Sequence, residues 1–86
     1  MVKTEITFHN KTEIKAQAQI FTGDTLVSTC TAGPGETCVL PTESARYDIF
    51  LRNGATGWEI ARKLNIEAKT LTLMKESKGW YVITES

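Results

Sequence analysis

The chain has 86 residues, 41% of them hydrophobic and 23% charged, which is the composition of one small globular domain. Ten basic residues balance ten acidic ones, so there is no dense basic surface and we expect no nucleic-acid partner. No stretch approaches the roughly 20 apolar residues of a membrane span. We therefore expect a single domain over residues 1–86 with no transmembrane segment.

The first third of the chain predicts two strands. The opening segment "MVKTEITFHN" is charged at Lys3 and Glu5, so we expect no signal peptide and, as the chain stands, a cytoplasmic protein. Within it Ile6 and Phe8 share one face of a strand. The next segment, "EIKAQAQIF", alternates apolar and polar residues more strictly, which is typical of a strand and not of a helix. Its apolar positions are Ile14, Ala16, Ala18 and Ile20.

Both cysteines lie in "STCTAGPGETC", at Cys30 and Cys38. If "TLVSTCT" and "TCVL" form a regular hairpin around Gly-Pro-Gly-Glu, the two side chains are one register apart and point to opposite faces. A bulge or a longer loop would bring them together as a disulfide. The spacing favours two half-buried thiols over the disulfide, and it offers too few ligands for a zinc site. A disulfide would indicate an extracellular location.

The second half also predicts strands. In "RYDIFLR" Tyr47, Ile49 and Leu51 share one face, opposite Phe50. "KTLTLM" and "WYVITE" flank a turn that ends in glycine and form a hairpin. The segment "TGWEIARKLNIEA" is ambiguous, because it fits an irregular strand but begins with the spacing of a capping box. We favour the strand, with a short helix near 57–64 as the alternative.

Turn residues recur about every 8–12 positions, which predicts an all-β fold. We expect a small antiparallel β-sandwich or flattened barrel of seven to eight strands. The segments "GETCVLPTESARYDIFLRNG" and "KTLTLM" resemble the transthyretin-like and carboxypeptidase-regulatory sandwich modules. In those modules a glycine precedes the tyrosine, where this chain has Ser44-Ala45-Arg46. The resemblance implies a sandwich fold and assigns no site.

No catalytic or metal motif is present in the sequence, so we predict a protein that is not an enzyme and that needs no cofactor and no metal. His9 is the single histidine and sits before a turn, where a solvated ring is the ordinary case. The residues Asn10–Thr12 form a glycosylation sequon, which is informative only if the chain is exported.

The aromatic residues are the best binding candidates. Trp58, Trp80 and Tyr81 could meet a carbohydrate or a protein surface, with Arg46 and Arg52 supplying hydrogen bonds. We therefore predict a non-catalytic binding module. The more ordinary interpretation, which we favour for the two tryptophans, is that they close the ends of a thin core.

An assembly role is the alternative prediction. Phe50 lies opposite the apolar face of its strand and could form an interface, which would make the protein a homo-oligomer subunit that associates through sheet faces or edges. A weak lipid-surface binder is a further alternative.

Overall fold

Eight β-strands form the regular structure of residues 4–85, the part of the chain that this computed structural model describes. They are β1 (Thr4–Asn10), β2 (Ala16–Thr22), β3 (Thr25–Ala32), β4 (Thr37–Thr42), β5 (Tyr47–Asn53), β6 (Glu59–Ile66), β7 (Thr70–Lys75) and β8 (Tyr81–Glu85). The all-β prediction is confirmed. Residues 4–85 contain no helix that is long and apolar enough to cross a membrane.

The strands pair into two four-stranded sheets, with the orders β4-β1-β7-β8 and β3-β2-β5-β6. We call them sheet A and sheet B. All neighbours pair antiparallel except β1 and β7, which are parallel. The sandwich that the turn spacing predicts is therefore present, and it consists of two separate sheets and not a closed barrel.

The core lies between the two sheets and follows the alternation of the sequence. Side chains at every second position of β1, β2, β5 and β7 are buried, as period-two strands require. Ile14, which the alternation places on this face, precedes β2 and is only half-buried. The buried apolar set is Ile6, Phe8, Ala16, Ala18, Ile20, Ala32, Leu40, Tyr47, Ile49, Leu51, Leu71, Leu73 and Ile83.

The ambiguous segment forms a strand, β6, and the alternative of a helix near 57–64 is wrong. Its pairing with β5 shifts register twice, between Tyr47 and Ile49 and between Leu51 and Arg52. Asn65 has a φ of 54°, a left-handed conformation that ends the regular part of the strand. These irregularities explain why the alternation is imperfect in this stretch and why a helical spacing could compete with it.

The expected hairpin around Gly-Pro-Gly does not form, because β3 and β4 belong to different sheets. Each is an edge strand, and the connection 33–36 crosses from one sheet to the other. Cys30 and Cys38 both face the interior and form a disulfide bond with their Cα atoms 6.1 Å apart. The preference for free thiols rested on the register of a hairpin, and that register does not apply to strands in two sheets.

Four connections gather at one end of the sandwich. Asn10 donates hydrogen bonds to the carbonyls of Ile14 and Ala32, which places the ends of β1 and β3 together. Gly54 N–H donates to the Lys15 carbonyl, which adds the end of β5. Since β7 is parallel to β1, it ends here too. We call this the tryptophan end; it consists of residues 11–15, 33–36, 54–58 and 76–80.

Candidate functional site

The two tryptophans lie on the surface of the tryptophan end. Trp58 closes the turn between β5 and β6, and its side chain is 75% exposed. Trp80 closes the turn between β7 and β8 and is 56% exposed. The interpretation that these rings plug the core is therefore wrong, since Leu51, Leu73 and their buried neighbours fill it without them. Two large apolar rings remain available at one end of the molecule.

The turn that carries Trp58 is held by its own hydrogen bonds. Asn53 N–H donates to the Trp58 carbonyl at 2.8 Å, and Gly57 N–H donates to the Asn53 carbonyl at 2.7 Å. The Asn53 side chain accepts from Ala55 N–H at 2.8 Å and from Thr56 N–H at 3.2 Å. Gly57 has a φ of 81°, which a residue with a Cβ rarely adopts. The backbone of Trp58 is thus fixed while its ring extends into solvent.

The turn that carries Trp80 has a similar construction. Glu76 N–H donates to the Trp80 carbonyl at 2.8 Å, and Gly79 N–H donates to the Glu76 carbonyl at 2.9 Å. The Lys78 ammonium lies 5.8 Å from the centre of the Trp80 ring, within the range of a cation–π contact. This turn therefore presents an apolar ring beside a positive charge.

Tyr81 differs from the two tryptophans. It is half-buried, packs against the core, and has the Lys75 ammonium 5.8 Å from its ring centre. Because it begins β8 directly after Trp80, the two adjacent rings point to different sides of the strand. Tyr81 therefore packs within the hairpin of β7 and β8 and adds little to the exposed aromatic surface of the tryptophan end.

Of the two predicted arginines, only Arg52 belongs to this end. Its Nη1 donates to the Gly57 carbonyl at 3.2 Å, and its Nε donates to Gln19 Oε1 at 3.0 Å. Arg46 precedes β5 at the opposite end, where it lies 3.7 Å from Glu67. The structure therefore brings Trp58, Trp80 and Arg52 to one end and leaves Arg46 outside the group.

Asn10 organises the tryptophan end, a role that the sequence did not reveal. Its Nδ2 donates to the carbonyls of Ile14, Ala32 and Gly33 at 2.7, 3.0 and 3.1 Å. Its Oδ1 accepts from both the N–H and the hydroxyl of Thr12, at 3.0 and 2.6 Å. Asn10 is 1% exposed. The only local signal was the sequon, in which Nδ2 is the atom that glycosylation would modify. In the folded protein that nitrogen donates both of its protons to backbone carbonyls.

Phe50 lies on the outer face of sheet B and is partly covered within the molecule. The Phe21 ring meets it edge to face at 5.4 Å, and the Arg62 guanidinium lies 5.0 Å from its centre. Glu59 holds that guanidinium through two hydrogen bonds of 2.8 and 2.9 Å. These residues and Arg52 line a shallow cavity of about 430 Å³. Phe50 is therefore less available as an interface residue than its position in the strand predicted.

Tyr47 closes the opposite end. Its hydroxyl donates to the Ala68 carbonyl in the connection between β6 and β7. Burial, and secondarily the negative charge of Glu85, raises the pKa of Tyr47 to about 12. A cavity of about 540 Å³, lined by Thr22, Thr25 and Ser44 among others, also opens at this end. It lies away from both tryptophans.

His9 lies outside the tryptophan end's exposed surface, on β1, with its Nδ1 2.9 Å from the Thr37 hydroxyl. Within residues 4–85, no three His, Cys, Asp or Glu side chains are grouped to hold a metal ion.

No family model, curated protein or solved structure matches this chain. The class that the structure defines is a small disulfide-containing β-sandwich with two tryptophans exposed at one end.

Proposed function

We propose that this protein is a non-catalytic binding module that contacts its ligand with the tryptophan end. The observation that carries the proposal is the exposure of Trp58 and Trp80 on two hydrogen-bonded turns of the same end. Two large apolar rings exposed to water lose the free energy that burial would give them, roughly 25 cal/mol per Å² of apolar surface. That cost is consistent with a use for the rings in binding.

A carbohydrate is the ligand that suits these rings best. The faces of sugar rings carry C–H groups that stack on an indole, and the surrounding hydroxyls need hydrogen-bond partners. Arg52, Lys78 and the Trp N–H groups can supply donors next to the rings. The turns are fixed by backbone hydrogen bonds, so little conformational entropy is lost when they bind.

The proposal is tested on a printed panel of neutral and acidic oligosaccharides, followed by calorimetric titration of the glycans that bind. We expect Trp58→Ala and Trp80→Ala each to weaken binding by about 1–2 kcal/mol, or roughly 5- to 30-fold. Leu64→Ala is the matched control, because Leu64 is 55% exposed near the end of β6 that lies away from the tryptophans. If neither tryptophan variant changes the affinity, the tryptophan end is not the binding site.

A protein or lipid surface would give a different result in the same set of variants. If the panel is negative and liposome flotation depends on Trp58 and Trp80, the exposed rings serve a lipid surface. If both are negative, a protein ligand becomes the leading candidate, since tryptophan is enriched among the residues that dominate protein interfaces.

We also propose that the protein works in an oxidising compartment, which the Cys30–Cys38 bond supports. The test is the intact mass of protein alkylated at the moment of lysis from its native source. We expect a protein that takes up no alkylating agent until it is reduced. Two alkylated thiols before reduction would place the protein in a reducing compartment instead.

A further inference from the structure

One side of the sandwich, formed by the edge strands β3 and β4, carries almost no charge. From Thr25 to Thr42 the sequence has a single charged residue, Glu36, and it lies in the connection between the two strands. Leu26, Val27 and Val39 expose more than a third of their surface on this side. A surface with few charged residues and several exposed apolar side chains is typical of the centre of a protein–protein interface.

The other edges of the two sheets have features that discourage pairing with another chain. Strand β4 contains Pro41, which cannot donate a backbone hydrogen bond. Strand β6 is charged and irregular, with two shifts of register. Strand β8 has five residues, and its Glu85 binds Lys63 of β6 at 2.8 Å. Such devices are how natural sheets protect their edges.

Strand β3 has no charge and no proline. It is eight residues long, and in residues 4–85 it pairs only with β2, so one row of its backbone N–H and C=O groups faces outward. One shift of register, between Ile20 and Phe21 of β2, separates its first residues from a regular segment, Ser28 to Ala32. The disulfide at Cys30 fixes this segment. Pairing of β3 with another strand would therefore cost little conformational entropy.

We infer that β3 pairs with β3 of a second copy of this chain, antiparallel and about a two-fold axis near Cys30. The two copies of sheet B then form one continuous eight-stranded sheet. On its outer face Thr29 of each copy lies opposite Thr31 of the other, and cross-strand threonine pairs of this kind stabilise antiparallel sheets. A symmetric pair satisfies both open edges with a single contact.

The size of the contact predicts a weak dimer. The five paired residues from Ser28 to Ala32 extend about 17 Å along the strand, and the molecule measures 24 by 19 Å in its two shorter directions. The contact therefore covers roughly 400 Å² of each molecule, about half of what a standard interface buries, which is the size of a weak or transient association. The absence of charge on β3 also removes the repulsion that would oppose contact between two identical strands.

The dimer is independent of the proposed binding function and adds a consequence to it. Trp58 and Trp80 belong to hairpins that include the opposite edge strands, β6 and β8, so β3 pairing leaves both rings exposed. Because the two β3 strands run antiparallel, the tryptophan ends of the two copies point in opposite directions. A dimer of this form could bridge two ligands.

The test is the molar mass measured by light scattering and by sedimentation equilibrium, from about 10 µM to about 1 mM protein. We expect a dimer of twice 9.6 kDa that Thr29→Lys/Thr31→Lys weakens at least tenfold, because each introduced charge faces another across the strand pair. Ala55→Lys/Thr84→Lys adds the same charge away from β3 and should dimerise like the wild type. Circular dichroism verifies that each variant folds.

Amide hydrogen exchange provides a second measurement. Exchange in residues 28–32 should slow as the wild-type concentration rises, and should not in the Thr29→Lys/Thr31→Lys protein. A wild-type protein that stays monomeric up to about 1 mM overturns the inference and leaves β3 for a different protein. A dimer that the β3 variant does not weaken also overturns it, because the contact then lies elsewhere.

Discussion

Replacing Asn10 by alanine should destabilise the protein strongly, because one buried side chain makes five hydrogen bonds. Nδ2 has two protons for three carbonyl acceptors, so one proton is shared between two of them, and Oδ1 accepts two further hydrogen bonds. At about 1 kcal/mol net per bond, and with some of the freed groups reaching water, the expected loss is about 3–5 kcal/mol. Domains of this size have total stabilities near the lower end of about 5–15 kcal/mol.

The assay is urea unfolding followed by far-ultraviolet circular dichroism. Tryptophan fluorescence is a poorer probe, since Trp58 and Trp80 are already exposed in the folded protein. Thr12→Val should lower the free energy of unfolding by about 1–2 kcal/mol, because it removes the Thr12 hydroxyl and leaves the donors of Asn10 in place. Gln17→Ala is the control, a half-buried amide on β2. If Asn10→Ala costs less than about 1 kcal/mol, the tryptophan end is not held by this side chain.

Four further outcomes follow from the structure. The double substitution Cys30→Ser/Cys38→Ser should lower the free energy of unfolding by about 2–3 kcal/mol, the value that the chain-entropy model gives for so short a loop. The wild-type protein in reductant should lose the same amount. Burial raises the pKa of Tyr47 to about 12. The protonated hydroxyl should therefore stabilise the folded protein fully below about pH 10, and this stabilisation should disappear towards pH 12. Thus the stability difference between wild type and Tyr47→Phe, measured by urea unfolding across that range, should shrink as pH rises; a constant difference would contradict this. Gly57→Ala forces an unfavourable φ and should cost about 1 kcal/mol in the same assay. In a glycosylating secretory host, folded protein should carry no glycan at Asn10 by intact mass, and a folded glycoform would contradict the burial of Nδ2.

Much of the fold could be predicted because the pattern of the strands is local. The alternation in Ala16–Thr22 and around Tyr47 sorts side chains to two faces wherever the strand is placed. Turn residues such as Gly79, with its φ of 102°, mark the ends of strands in the same local way. The aromatic residues of the binding candidate could be identified for a related reason, since a tryptophan next to a turn is visible in the sequence.

The assignment of strands to sheets was not local and could not be predicted in the same way. "TCTAGPGETC" has the composition of a tight hairpin, yet β3 and β4 lie in different sheets and are joined by the disulfide. The exposure of the tryptophans was also decided in three dimensions. The buried residues of the core, Phe8 and Tyr47 among them, already occupy the space between the sheets, and the two tryptophans lie outside it.

By itself, the sequence determined an all-β chain of seven to eight short strands, the faces of most of them, and the absence of a strongly charged surface. Only the tertiary structure decided that Cys30 meets Cys38, that Asn10 is a buried organising side chain, and that Trp58 and Trp80 share one end while Arg46 lies at the other. The reason is that alternation and turn chemistry act over a few neighbouring residues. The packing of two sheets instead depends on contacts between residues that are distant in the chain, and no local pattern records them.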